Sequence, residues 1–305
     1  MSATTTPAPA TPADRVPLAE ALRRKGEPLR ERVFRWLLRL ALAVSVLVIL
    51  LVLGFLLVSG WSALTPTLIN NMPTLRRPDS AGAQSAIMGT IWVVGATAVV
   101  CIPLGVAAAV YLEEYADGTR WWNRLIEVNL QNLAAVPSII FGILGLAFFA
   151  RVLGLGFTVL TAGLTLSLLV LPTIIIASRE ALKAVPQTIR DGSLALGATR
   201  WQTVRKQVLP AAVPGIATGT ILGLSRAAGE AAPLLLLGAV TFVTFNPSGL
   251  DSSYTTIPIQ IYNWSSNPKE EFQTLAAALG LVMLALVLLL NGLAIFIRNK
   301  FQKRW

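Results

Sequence analysis

Apolar residues run in long blocks along this chain, and polar ones are gathered between them. Residues 40–59, 86–112, 128–150 and 152–178 contain no Asp, Glu, Lys or Arg. Two more runs, at about 211–238 and 274–297, are equally apolar, apart from Arg226 and Glu230 in the former. A membrane crossing needs about 20 such residues in a helix. A helix also satisfies its own backbone groups in lipid. No run alternates with period 2, so a strand reading has no support. The pattern predicts an all-α integral membrane protein of six transmembrane helices. Pro103, Pro137, Pro172 and Pro214 fall in or near these runs. Each lacks an amide donor and is expected to kink its helix, which membrane helices tolerate.

One polar segment stands out. Residues 178–210, SREALKAVPQTIRDGSLALGATRWQTVRKQVLP, lie between the fourth and fifth runs. Pro186 is expected to break a first helical piece, and a second to start near Asp191, whose carboxylate suits a helix N-terminus. Gly197 fits a turn between two short helices, because glycine tolerates positive φ. Such a helix–turn–helix would lie across one membrane face, with Trp201 resting on the helices above it.

Composition agrees with this class. Of 305 residues, 54% are hydrophobic and 13% are charged, against roughly 25% charged in soluble domains. The net charge of +10 has a location. Eight basic residues precede the first run, two (Arg120 and Arg124) follow the second, six lie in 178–210 and four close the chain. The opposite loops hold only Arg76, Arg77, Arg151 and Lys269. Basic loops stay in the cytosol, so both termini are placed there, and the positive flanks suit anionic membrane lipid rather than nucleic acid. The chain divides into a cytosolic tail (1–36, its first fourteen residues disordered by composition), a transmembrane region (37–298) and a basic end (299–305). The first run is long enough to remain as an anchor rather than a cleaved signal peptide.

Several chemistries lack their residues. Cys101 is the only cysteine and there is no histidine, which leaves no intrachain disulfide, no His-based catalysis and no usual transition-metal site. No P-loop string occurs, so any ATP hydrolysis is expected in a partner subunit. No catalytic residue, metal site or cofactor is expected.

The segment 178–210 resembles the EAA loop of type I ABC importer permeases. That pattern has Glu-Ala-Ala, a Gly six positions after the Glu, and a later Leu-Pro. Here those places hold Asp191-Gly192-Ser193, Gly197 and Leu209-Pro210, with Gln207 at the usual Ile. LSRAAGEAAPLLLLGA at 224–239, IPIQIYNW at 257–264 and LLLNGLAIFIRNKFQKRW at the end resemble the phosphate permeases, specifically the PstA-type subunit. The resemblance implies a multi-pass subunit of the plasma (inner) membrane. It implies a heterodimer with a PstC-type permease, a dimer of a PstB-type cytosolic ATPase, and a PstS-type extracytoplasmic phosphate-binding protein. It implies that phosphate passes between the two permeases. It also implies that Asp191, Ala195, Leu196, Gly197, Leu209 and Pro210 couple the chain to the ATPase.

The fifth run adds a candidate substrate site. Gly215, Gly219 and Gly223 recur every four residues, a spacing that lets another helix approach closely. Arg226 and Glu230 are four apart, so on a continuous helix they share a face, with Glu230 beside the glycine stripe. A charge near the bilayer centre costs about 2.5–3.5 kcal/mol, so both are expected to face protein or a watery path. Two roles fit: a salt bridge that locks packing, or an anion station in which the Arg226 fork meets phosphate oxygens and Glu230 holds it in place. Other functions in the same frame are the PstC-type subunit, a permease for another oxyanion, and a signalling or assembly subunit with no substrate path.

Overall fold

The computed structural model describes residues 29–74, 76–237 and 243–301. The first fourteen residues, expected from composition to be disordered, Gly238 at the end of the fifth run, and Lys303 and Arg304 lie outside them. The described residues form helices and turns, with no strand. The chain divides into two compact units, one up to Phe55 and the other from Leu56.

The helix α1 (Leu29–Gly60), of which the part up to Phe55 lies in the first unit, carries Arg30, Arg32 and Arg35 and is exposed along residues 29–52. Arg39 lies over the Trp36 ring at 5.6 Å.

The second unit holds α2 (Gln84–Tyr115), α3 (Trp121–Ala134), α4 (Ser138–Val152), α5 (Val159–Lys183), α6 (Gln187–Ala195), α7 (Arg200–Gly229), α8 (Ala232–Leu236), α9 (Ile257–Ser265) and α10 (Glu270–Phe301). At the centre is α5, two-thirds (67%) of whose apolar stretch is buried against 33% for α2 and 39% for α7. Small and hydroxyl residues let its neighbours come close. Ser167 donates to the Gly163 and Thr97 carbonyls at 2.6 and 3.3 Å, and Thr97 donates to the Gly163 carbonyl at 3.3 Å. Interhelical bonds of this kind replace the hydrophobic drive that lipid removes.

The six-run pattern survives with changed boundaries. Among the described residues, five helices are long and apolar enough to cross a membrane, and six spans result if a bent pair counts as one. That pair is α3 and α4, which meet at 105° where a third span kinked at Pro137 is expected, a sharper break than a kink within one helix. The cause is Pro137, which lacks a donor and pushes Val136 out of helical geometry. The run also hid Asn129, Gln131 and Asn132, polar residues without charge. The fourth run starts late as a helix, at Val159, after Gly154 and Gly156 turn the chain with φ of 68° and 66°. Helix continues through Pro103, Pro172 and Pro214.

The loops sort to two ends. The carboxylates closing α2 meet arginines of α5 and α6 at one end. At the other, Ser85 donates to the Val243 carbonyl at 3.0 Å, and the Val159 amide donates to the Ser252 carbonyl at 3.0 Å. Arg120, Arg124 and the 178–210 basics share the first end. Lys269 and Arg76 share the second, joined at 3.4 Å.

Candidate functional site

At the basic end, α5 stops at Lys183 and the chain restarts at once. Pro186 sits at the N-cap of α6, so the helix begins at Gln187 and not near Asp191. Asp191 is therefore inside α6, where its Oδ1 accepts from Gln187 Nε2 at 3.1 Å. The expected N-terminal role for its carboxylate is withdrawn, since a proline with its fixed φ had already opened the helix.

The turn at Gly197 is as the spacing predicts. Its φ is +83°, its amide donates to the Leu194 carbonyl at 2.9 Å, and the Ala198 amide donates to the Ser193 carbonyl at 3.2 Å. These two bonds make a Schellman end, which satisfies carbonyls that a helix C-terminus leaves open. Thr199 then caps α7. Its hydroxyl accepts from the Gln202 amide at 3.3 Å, and the Gln202 side chain accepts from the Thr199 amide at 2.9 Å, a reciprocal capping box. The second piece is not a separate short helix. It continues from Arg200 through Leu209–Pro210 to Gly229.

The predicted coupling residues therefore divide. Asp191, Ala195, Leu196 and Gly197 lie together and exposed at the tip, where Leu196 is 91% exposed. An open hollow of about 510 Å³ beside them is lined by Thr188, Gly192, Leu196 and Gln202. Leu209 and Pro210 lie farther along α7, Leu209 against the apolar cluster of Val208, Ala212 and Leu182. Trp201 borders a second hollow with Pro103, Val106 and Tyr111 of α2.

What holds α6 was not singled out from sequence. Arg190 donates through Nη2 to Glu114 at 2.7 Å, and both are nearly buried (side chains 13% and 7% exposed). Arg179 meets Glu113 at 3.4 Å and Glu127 at 2.5 Å. Removing one member of a buried pair costs about 3–5 kcal/mol, because the other charge is stranded. The available signal was the string YLEEY at 111–115, two acids where an apolar run meets the basic end.

The charged pair of the fifth run has a different geometry from the expected one. α7 ends at Gly229, and Glu230 is extended, with φ −77° and ψ 118°. Pro233 explains the end: its ring would strike the carbonyl four residues back, that of Gly229. Arg226 and Glu230 thus do not share a continuous helix. They meet across its end, Nε to Oε1 at 3.5 Å, an ion-pair distance with no hydrogen bond. The Glu230 side chain is 19% exposed and that of Arg226 61%. The glycine stripe is occupied within this chain by α5. A Cβ at Gly215 would come within 2.7 Å of Ala181, and one at Gly219 closer still to Ala177. Arg226 lies outside that contact. Among the described residues no three His, Cys, Asp or Glu side chains group as metal ligands.

Helices of this length around a central α5, with a basic polar hairpin projecting at one end and a charged pair at a helix break, make a membrane transport permease. The chain belongs to the family of binding-protein-dependent transport system inner membrane components, whose pattern matches residues 101–304. It is 34% identical over 231 residues to the probable ABC transporter permease protein YqgH of Bacillus subtilis, covering 72% of this chain and 74% of that one. It is 32% identical over 225 residues to the phosphate transport system permease protein PstA 1 of Mycobacterium tuberculosis, covering 74% and 73%. With PstA of Yersinia pestis it shares 30% over 271 residues, 86% of this chain and 90% of that one. Among solved structures, it superposes on a chain of the MetNI methionine ABC transporter with a TM-score of 0.58 at 18% identity, over 72% of this chain and 95% of that one. A chain of a bacterial alginate ABC transporter also gives 0.58, at 15%, over 90% and 98%. The fold is that of type I ABC importer permeases, and the chain is a multi-pass transport subunit of the inner membrane.

Proposed function

We propose that this chain is the PstA-type permease of an ATP-driven phosphate importer. In this reading it lines the translocation path with a PstC-type permease, docks a PstB-type ATPase through the tip of α6, and receives phosphate from a PstS-type binding protein. Both termini lie in the cytosol, as the placement of basic residues supports. The PstA relatives support the substrate.

The observation that carries the substrate path is Arg226. A guanidinium 61% exposed beside a membrane-helix break needs a polar neighbour outside this chain, because lipid would not solvate it. Its planar fork matches phosphate oxygens. Glu230 approaches from one side at 3.5 Å, orienting the fork and weakening anion binding enough for release. A brace reading is favoured by the same ion pair, and the two separate experimentally. Under the anion reading, Arg226→Gln abolishes phosphate uptake while the complex still assembles, and Arg226→Lys is poor. Under the brace reading, loss of Arg226 lowers assembly, and removing Arg226 and Glu230 together restores transport. Uptake and complex yield for Arg226→Gln, Glu230→Gln and the double variant decide between them. Normal transport by the double variant would end the anion-station reading.

A further inference from the structure

Four charged side chains at the basic end take no part in that path. Glu113 and Glu114 are adjacent on the wide turn that closes α2, yet they reach different helices. Glu113 meets Arg179 on α5, and Glu114 meets Arg190 on α6. Arg190 uses nearly its whole fork. Nε and Nη2 donate to Glu114 Oε1 at 3.2 and 2.7 Å, Nη1 donates to the Val185 carbonyl at 2.6 Å, and Nη2 to the Leu182 carbonyl at 3.0 Å. Those carbonyls lie at the end of α5 and in the loop behind it. One guanidinium therefore fastens α6 to two membrane helices at once.

Little else fastens α6. It has no buried residue of its own. Ile189 packs on the neighbouring apolar cluster, and Ser193 bonds Thr203 at 2.9 Å. Its far end presents Leu194 and Leu196 outward. A nine-residue helix is thus gripped near its middle by a nearly buried ion pair that ties it to the ends of α2 and α5. A buried pair with all its bonds satisfied fixes geometry more than it adds stability.

We infer that the Arg190–Glu114 pair is the joint that passes displacement of α6 to α2 and α5. This rests on the reading of α6 as the ATPase-docking helix. Arg190 and Glu114 are positioning residues: they do not touch the ATPase or phosphate. When the pair is broken, α6 still docks, but its movement is no longer handed to the spans. ATP is then hydrolysed without matching transport.

The test uses the complete transporter in proteoliposomes, with phosphate uptake and ATP hydrolysis measured together. The variants are Glu114→Gln, Arg190→Lys and the double Glu114→Gln/Arg190→Gln. Each also carries Leu196→Cys for cross-linking to the ATPase, since the only native thiol, Cys101, is buried. Complex yield and cross-link are expected within about twofold of the parent in Arg190→Lys and the double variant, which strand no charge, and lower in Glu114→Gln. Phosphate moved per ATP falls at least about tenfold, and the double variant is no worse than the worse single one, because residues acting as a unit are not additive. Uptake per ATP within about twofold of the parent, in variants that assemble and cross-link, overturns the joint alone. Failure of all three to assemble also overturns it and leaves the pair as a fold brace. A parent Leu196→Cys that does not cross-link to the ATPase removes the docking reading first, and the joint with it.

Discussion

Gly197 shows how much one residue decides. Its φ of +83° ends α6 and turns the chain into α7, and a Cβ there would meet no neighbour. The demand for glycine is thus in the backbone alone. A β-branched residue in the left-handed region costs about 1–2 kcal/mol, enough to re-angle the tip without unfolding the membrane helices. Gly197→Val is expected to leave insertion and assembly intact while uptake per ATP falls; coupled transport at the parent rate would contradict the docking assignment. Gly197→Asn, which tolerates the left-handed region, is expected to retain most coupling. This turn was legible because its cause is local; the Thr199-x-x-Gln202 box is equally local but was not singled out from sequence. Asp191 misled because a carboxylate suits a helix start, yet Pro186 had already supplied one. Arg190 and Glu114 stand 76 residues apart, and no local rule links them.

At the scale of elements, apolar length identified the helices and misjudged their ends. The third run showed Pro137 but not that the bend would reach 105°, because a charge-free window does not register uncharged amides. The fifth run continues past Gly229 in composition, but Pro233 stops the helix there. The glycine stripe was recognisable as a contact surface, but spacing alone does not name the partner, and α5 proves to be it. Gly219 faces Ala177 too closely for a side chain. Overpacking of this kind costs about 1–3 kcal/mol. Gly219→Leu is expected to lower the yield of folded permease and the temperature at which detergent-solubilised complex dissociates. Gly54, whose added Cβ meets nothing, serves as control: Gly54→Ala is expected to change neither, and equal loss in both variants would contradict the α5–α7 contact.

For the whole molecule, sidedness is the first consequence. Within the second unit the basic loops share one end and Arg76 and Lys269 share the other, which follows the division of charge in the sequence. A cytosolic reporter fused after Trp305 is expected to be active and an external one silent; activity of the external reporter alone would reverse the topology. A second consequence lies in α7. It runs unbroken from Arg200, beside the exposed tip, to Gly229, beside the charged pair. Thirty residues of helix reach about 45 Å at about 1.5 Å per residue. Tip and guanidinium are thus opposite ends of one lever, with α5 packed along its middle as the bearing. A tilt of roughly 10° about that middle would carry each end about 4 Å. A shift of the cytosolic tip is therefore expected to reach the Arg226 end of α7 at equal size and in the opposite direction, which distance measurements between labels at the two ends would check.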